Sequence, residues 1–252
     1  RKQYVKNGEK ISPVITIVCN FTKPTASQPS LLTFDETSTF FHEFGHALHG
    51  LLSNSTYYSL SGTSVPRDFV ELPSQIMENW ASEPEVLKLY AKHYQTGEVI
   101  PDDLIGKIQN SAYFNQGFAT VEYLAASFLD MGYHNMKEFK LTDVSSFEDA
   151  TLAQIGLIPE ITSRYRSTYF NHIFSGGYSS GYYSYIWSGI LDSDAFEAFK
   201  ENGLFDQATA ESFRKNILER GGTEDPMVLY KKFRGAEPDI KPLLKRRGLI
   251  EG

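Results

Sequence analysis

The sequence has little cysteine, little positive charge and no long apolar run, and each shortage excludes a class of protein. Its single cysteine, Cys19, excludes an internal disulfide and favours a reducing compartment. No run of about 18 apolar residues occurs, which argues against a transmembrane helix within this stretch. The 24 Lys and Arg residues against 31 Asp and Glu give a net charge of −7, which argues against binding to nucleic acid or to an anionic membrane surface.

The most informative stretch is an H-E-x-x-H pattern that runs from His42 to His46. Thr33 and Glu36 form a capping-box pattern ahead of it, so the sequence predicts a helix over about residues 34–53. His42 and His46 then lie one turn apart and can hold one Zn²⁺ at about 2.0–2.1 Å. Glu43 lies roughly 100° further round the helix, where it can take a proton from a water molecule on the metal. The pattern indicates metal-assisted hydrolysis of an amide.

A catalytic zinc needs a third protein ligand, and the residues alone leave its identity open. Position 52 is Leu52, so the longer motif that ends in a third histidine is absent. His49 shares the side of the histidine pair, but three ligands in line along one helix lie too far apart, and we predict a packing or supporting role for it. Glu71 and Glu78 lie on a second predicted helix; Glu71 is favoured as ligand, and Glu78 is the alternative or a hydrogen-bond acceptor for a ligand imidazole.

The fold class predicted from these patterns is mainly α, with a small β element beside the metal helix. Residues 13–21 are β-branched and apolar and predict a buried strand, preceded by a hairpin that turns at residues 6–9. Helical patterns cover most of the rest, in ranges that breakers such as Pro84, Pro101 and Asn115 separate. These ranges are 66–80, 83–139, 192–201, 206–219, 225–233 and 238–247, with a polar loop and a short helix within 140–163.

A second informative stretch, residues 171–187, is rich in glycine and tyrosine. Three glycines in six residues predict a mobile loop, which runs into a helix from about Tyr182. The chain has 15 tyrosines, so any one of them taken alone is more often a packing residue than a functional one. A loop histidine such as His172 is likewise more often a plain surface residue.

Several motifs together resemble the thimet oligopeptidase family of zinc metallopeptidases. They are the stretch from Phe41 to His49, the segments 68–75 and 78–80, and the glycine and tyrosine stretch 176–187. The tail, with Phe213-Arg214, Gly221-Gly222 and Phe233-Arg234-Gly235, is most similar to the bacterial peptidyl-dipeptidase branch, also called dipeptidyl carboxypeptidase. The resemblance extends along essentially the whole chain.

This resemblance implies roles for individual residues and a zincin-like catalytic domain. It implies that one Zn²⁺ per chain is the cofactor and that Glu71, rather than Glu78, completes the ligand set. The resemblance implies zinc ligands at His42, His46 and Glu71. It implies Glu43 as general base, Tyr185 and His172 as further catalytic groups, and Tyr178, Tyr182 and His172 as substrate-binding groups. Family members are much longer, so we expect residues 1–252 to be the C-terminal catalytic part of a larger oligopeptidase whose N-terminal helical half is absent, and the isolated part to be of uncertain activity.

The predicted function is that of a zinc metallopeptidase that acts on short peptides and releases C-terminal dipeptides in the cytoplasm or periplasm. An oligopeptidase that cuts inside short peptides is the alternative within the enzyme class. A zinc-binding structural module and an interaction domain with an accidental H-E-x-x-H are the remote alternatives. Expected partners are peptide substrates and the N-terminal half of the same enzyme, with neither nucleic acid nor membrane.

Overall fold

Helices make up most of the chain, which confirms the mainly α prediction. The computed structural model describes residues 1–138 and 143–250. Two units emerge, one of residues 1–112 and 188–252 (unit 1) and one of residues 113–187 (unit 2). None of the helices among the described residues combines the length and the apolar character that a membrane span needs.

The elements follow one another in a simple order. The strands form one antiparallel hairpin and are β1 Tyr4–Lys6 and β2 Glu9–Ile11. The helices before residue 143 are α1 Phe34–Leu51, α2 Arg67–Val70, α3 Leu72–Ser82, α4 Pro84–Tyr90, α5 Asp102–Ser111 and α6 Gln116–His134. Those after it are α7 Val144–Gln154, α8 Asn171–Phe174, α9 Ser184–Asn202, α10 Gln207–Phe213, α11 Pro226–Arg234 and α12 Lys241–Arg246. The boundary between the units falls within α9.

The hairpin turns where the sequence predicts, but the strand predicted after it is wrong. Asn7 and Gly8 have φ angles of 52° and 83°, the left-handed values that a tight hairpin turn requires. Residues 13–21 form no strand, and Val14 and Val18 are 57% and 77% exposed. Exposed and half-buried side chains alternate along this segment, as in a strand, but no neighbouring strand among the described residues pairs with it. We call residues 12–22 the extended segment.

Helix α1 begins as the capping pattern predicts. The Thr33 hydroxyl accepts a hydrogen bond from the Glu36 backbone N–H, and the Glu36 carboxylate accepts one from the Thr33 N–H. The same carboxylate also accepts hydrogen bonds from the backbone N–H and hydroxyl of Thr22. These bonds lower the pKa of Glu36 to about 2, and the one from the Thr33 backbone contributes most. One glutamate therefore joins the extended segment to the start of α1.

The second predicted helix is divided in two. Helix α2 ends at Val70 and α3 begins at Leu72, with Glu71 at the junction. Helix α2 starts after Pro66 without a side-chain cap. Pro73 lies in the first turn of α3, where its missing N–H has no helical partner to lose.

Unit 1 has an aromatic core that fixes α3 against α9. The Trp80 ring lies 4.7 Å from the rings of Phe196 and of Phe199, in edge-to-face contacts. The Trp80 indole N–H donates to the Leu204 carbonyl. Deeper in the unit, the Asp192 carboxylate is fully buried and accepts hydrogen bonds from Asn79 of α3 and Arg246 of α12.

Unit 2 is built around α6 and α7 and has its own core. Asn115, with a φ of 56°, separates α6 from α5, at the break that the sequence predicts. The predicted short helix within 140–163 is α7, whereas the end of the helical range at Phe139 and the start of the polar loop at 140–142 lie outside the described residues. The core consists of buried side chains from α6, from α8 and the residue before it, and from the loop between α8 and α9: Ala126, Leu129, Phe170, Ile173, Tyr178 and Tyr182.

Candidate metal centre

The two histidines of the H-E-x-x-H pattern face the same side of α1. Their ring centroids are 4.9 Å apart and the ring planes are nearly perpendicular, at 87°. The spacing follows from the helical period, which places residues i and i+4 on one face. The side chains of His42 and His46 are 19% and 25% exposed, so a metal between them would be partly shielded from solvent.

Gly45, inside the pattern, allows α3 to approach α1 at backbone distance. A Cβ atom at this position would lie 2.2 Å from the Pro73 carbonyl oxygen and 2.6 Å from the Ser74 Cα. Only a residue without a side chain therefore permits this contact. This close approach places Glu71, two residues before Pro73, next to the face of α1 that carries His42 and His46.

Glu71 lies next to both imidazoles. Its Oε2 atom is 3.3 Å from His42 Nε2 and 3.2 Å from His46 Nε2. Glu71 is 2% exposed, and the Ser74 hydroxyl donates to the same Oε2 atom at 2.8 Å and to the Glu71 carbonyl at 2.9 Å. The carboxylate is thus held in place by a side chain one turn further along α3.

The three side chains fit one metal ion. One ligand atom from each of His42, His46 and Glu71 can be chosen so that all lie within 4.8 Å of one another. Tetrahedral ligands at about 2.0–2.1 Å from a zinc ion are about 3.3 Å apart, close to the separations of Glu71 Oε2 from the two Nε2 atoms. Two imidazoles and one carboxylate also leave a fourth position free for water or substrate, as a catalytic site requires.

Glu78 supports the site from behind His42. Its Oε1 atom lies 2.6 Å from His42 Nδ1, so this nitrogen carries the proton and Nε2 is left to face Glu71 and a metal. Burial lowers the pKa of His42, but its hydrogen bonds to Glu71 and Glu78 outweigh this and raise the pKa to about 10. Without a metal, the second ring proton therefore lies on Nε2 beside Glu71, and any metal that binds Nε2 must displace it.

His49 is fully buried and lies outside the metal group. Neither of its ring nitrogens has a hydrogen-bond partner among the described residues. Burial, with a smaller contribution from His46, lowers the pKa of His49 to about 3, so the ring is neutral at physiological pH. This placement agrees with a packing role.

Glu43 faces a cavity of about 190 Å³ that it shares with His46. Ala47 and Gly50 of α1 and the two isoleucines of the extended segment, Ile15 and Ile17, form much of its apolar wall. Lys2 and residues 61–63 line it as well. A base candidate therefore lies on the wall of a cavity that also reaches a metal-ligand candidate.

The predicted substrate residues of unit 2 form one aromatic cluster. The rings of Tyr178 and Tyr185 stack with centroids 5.2 Å apart, and the Tyr182 and Tyr185 centroids are 5.3 Å apart. The His172 ring lies 5.7 Å from Tyr182, 6.1 Å from Tyr178 and 6.4 Å from Tyr185. Burial raises the pKa of Tyr182, which keeps its phenol neutral. The structure thus brings these four residues together, while their roles stay predictions.

Sequence reasoning missed several residues that shape the metal site. The sequence patterns did not predict a close contact at Gly45, although a glycine inside a helix can indicate a packing role. Ser74 follows Glu71 by three residues, the spacing at which two side chains meet on a helix, and this spacing could have indicated its role. Lys2, Ile15 and Ile17 carried no local signal, because the path of the chain, and not the neighbouring residues, brings them to the cavity.

Comparison with known proteins shows what this chain resembles. Residues 2–249 match Peptidase family M3. Dipeptidyl carboxypeptidase of Escherichia coli is 48% identical over 242 residues, which are 95% of this chain and 36% of that protein. Oligopeptidase A of the same organism is 41% identical over 96% of this chain and 36% of its own length. Thimet-like oligopeptidase of Dictyostelium discoideum is 34% identical over 96% of this chain and 36% of its own length. The chain therefore spans about a third of the length of each of these relatives.

Proposed function

Because the chain belongs to Peptidase family M3, as its motifs suggested, we propose that it forms the catalytic part of a zinc metallopeptidase that releases dipeptides from the C-terminus of short peptides. The observation that carries this proposal is that His42, His46 and Glu71 bring one ligand atom each within 4.8 Å of one another, while Glu43 and His46 line one cavity. The higher identity to a dipeptidyl carboxypeptidase than to oligopeptidase A favours dipeptide release over internal cleavage.

Zinc held by the two histidines and Glu71 would supply Lewis-acid chemistry, because it polarises a carbonyl and lowers the pKa of a bound water. Glu43, on the cavity wall beside His46, takes the proton of the attacking water and passes it to the leaving amine. Glu78 keeps His42 in the tautomer with a free Nε2 atom. All these roles are assigned to side chains of unit 1.

The tyrosine cluster of unit 2 supplies the remaining groups in this proposal. Tyr185 donates its phenolic hydrogen to the oxyanion of the tetrahedral intermediate, a contribution worth about 10²–10³ in rate. His172 and Tyr178 hold the peptide backbone or assist that donor, and Tyr182 adds to the substrate surface. Burial raises the pKa of Tyr182, and its neutral phenol suits hydrogen-bond donation.

The relatives are about three times as long as this chain, which bears on its partners. We propose that a further helical portion of the same enzyme forms the opposite wall of the substrate cleft. We also propose a cytoplasmic location, with the periplasm as the alternative, because a single thiol suits a reducing compartment. The net charge of −7 makes peptides, rather than nucleic acids, the expected partners.

Product analysis separates dipeptide release from internal cleavage. We expect the full-length, zinc-loaded protein to convert an N-terminally blocked hexapeptide into a blocked tetrapeptide and a free dipeptide, detected by mass spectrometry. A hexapeptide that is also amidated at its C-terminus is the matched control, and we expect it to be cut more slowly. Equal cleavage of both peptides at an internal bond would instead assign the oligopeptidase activity.

A further inference from the structure

Helix α6 contacts the loop between α8 and α9 through two polar side chains. We call residues 175–183 the tyrosine loop, because it carries Tyr178 and Tyr182 and leads directly to Tyr185. We infer that Asp130 and Tyr123 of α6 are positioning residues that hold this loop in the conformation that the reaction needs. The inference rests on the proposed function, since it acts through Tyr185.

Asp130 fixes the backbone of the loop at two points. Its Oδ1 atom accepts a hydrogen bond from the Ser180 N–H at 2.9 Å, and its Oδ2 atom accepts one from the Tyr182 N–H at 2.9 Å. Ser180 has a φ of 52°, a left-handed conformation that is unfavourable for a residue with a side chain. The carboxylate thus stabilises a backbone shape that the sequence alone does not favour.

The Asp130 carboxylate is itself held in place. It is 1% exposed, and His134, one turn further along α6, lies with Nδ1 2.8 Å from Oδ1. A buried carboxylate loses its hydration and is stable only if hydrogen bonds replace it. Here two backbone N–H groups of the loop supply most of that replacement, so the carboxylate and the loop depend on each other.

Tyr123 fixes the end of the loop to the start of α9. Its hydroxyl donates to the Tyr182 carbonyl at 2.5 Å and accepts from the Ile186 N–H at 3.2 Å. Its ring stacks on that of Tyr182, with centroids 5.4 Å apart and planes at 30°. One side chain therefore contacts the backbone on both sides of Tyr185.

The two positioning residues act from one face of one helix. Tyr123 and Asp130 are seven residues apart, which is two turns, so their side chains project in the same direction. Together they form hydrogen bonds with the backbone N–H groups of Ser180, Tyr182 and Ile186. The Tyr185 ring in turn packs on Tyr178 and Tyr182. Loss of these hydrogen bonds would therefore move the Tyr185 phenol, which the proposed mechanism uses.

Such a shift is expected to lower the rate more than it weakens binding. A donor to an oxyanion acts only at a short, aligned distance, and a displacement of about 1 Å can cost about 100-fold in rate. Substrate binding uses many contacts and depends less on one phenol. A positioning role thus predicts loss of kcat with little change in KM.

A double-mutant cycle in the full-length, zinc-loaded protein tests this inference. We expect Asp130→Asn, which places an amide donor against a backbone N–H, to lower kcat about 10- to 100-fold. Zinc content should stay at its wild-type value and KM should change less than about threefold. In a Tyr185→Phe background the same substitution should lower kcat by less than about twofold, because the group through which Asp130 acts is already gone.

Matched controls distinguish a loss of kcat caused by the tyrosine loop from one caused by a general disturbance of unit 2. Glu148→Gln alters another buried carboxylate, which accepts from the Ser167 N–H and lies outside the tyrosine loop. Tyr133→Phe removes a phenol of the same helix whose ring packs on Phe147 and Phe174. We expect both controls to change kcat by less than about threefold.

The outcomes distinguish failure of the proposed peptidase function from failure of the positioning role of Asp130 and Tyr123. Absence of peptide hydrolysis by the zinc-loaded wild-type protein refutes the proposed function. An active wild type with unchanged kcat in Asp130→Asn overturns the positioning role alone, as do losses that multiply in the double variant. Unchanged kcat in Tyr185→Phe overturns the positioning role and the oxyanion role of Tyr185, but not the proposed peptidase function. If Asp130→Asn does not fold, Tyr123→Phe, which removes one oxygen atom, replaces it in the same cycle with an expected loss of about 3- to 10-fold.

Discussion

At the scale of single residues, the candidate metal centre depends on one carboxylate oxygen. Glu71 Oε2 lies 3.3 Å and 3.2 Å from the two Nε2 atoms of His42 and His46, whereas Glu78 contacts only the far nitrogen of His42. Glu71 is therefore a ligand candidate, whereas Glu78 is a hydrogen-bond partner of the ligand candidate His42. Residue spacing alone left this choice open, since it depends on how α1 and α3 approach each other.

Substitution of the two glutamates should separate these roles. We expect Glu71→Ala to weaken zinc binding by more than about 100-fold, because it removes one of three protein ligands. Glu78→Ala should weaken it by about 10- to 100-fold, the usual cost of losing the partner of a ligand imidazole. Competition with a chelator of known zinc affinity measures both constants.

Exposed Glu85 of α4 provides the control, and Glu85→Ala should leave the zinc affinity unchanged. Full zinc affinity in Glu71→Ala, with a native circular dichroism spectrum, would remove Glu71 from the ligand set. An equal loss in both glutamate variants would contradict the distinction between ligand and support.

At the scale of elements, the site depends on the contact between α1 and the start of α3. That contact passes through Gly45, where any side chain would meet the backbone of Pro73 and Ser74. The capping box at Thr33 and Glu36 sets where α1 begins, and hence which residues face α3. The element boundaries thus help to fix where the three ligand candidates lie.

Gly45→Ala should disrupt this contact. We expect it to lower the free energy of unfolding of the metal-free protein by about 1–3 kcal/mol and to weaken zinc binding, because the methyl group would lie 2.2 Å from the Pro73 carbonyl oxygen. Urea denaturation followed by circular dichroism, with zinc titration of the folded variant, provides the measurement.

Gly106 of α5 offers a matched control for the same substitution. It lies inside a helix, and apart from the backbone of its own helix no atom of the described residues lies within 4 Å of a Cβ placed there. Gly106→Ala should therefore stabilise the protein by about 0.5–1 kcal/mol. A Gly45→Ala variant as stable as this control would show that α1 and α3 do not need their close contact.

Elements that depend on local pattern were predicted well from the sequence, whereas those that depend on distant partners were not. The span of α1, its cap at Thr33 and the break at Asn115 follow from neighbouring residues. The strand expected over residues 13–21 failed because a strand needs a pairing partner, which local composition cannot supply. Asp130 escaped notice for the same reason, since its loop partners are 50 and 52 residues away.

At the scale of the whole molecule, each unit contributes part of the proposed chemistry. Unit 1 contains the three metal-ligand candidates and Glu43, and unit 2 contains the cluster of His172 and the three tyrosines. The chain spans about a third of the length of its relatives, so the activity of the whole protein has to be measured on the full-length form. The family resemblance supplied the substrate roles, which no pattern in the residues could assign.

The measurement that tests the central claim most directly is zinc content and turnover of Glu43→Gln in the full-length protein. Because Glu43 lies beside His46 but outside the ligand group, we expect about one zinc per chain, as in the wild type, and a loss of at least about 10³-fold in kcat. Normal zinc content with near wild-type peptide hydrolysis would contradict the account, because the proton of the attacking water would then need another acceptor.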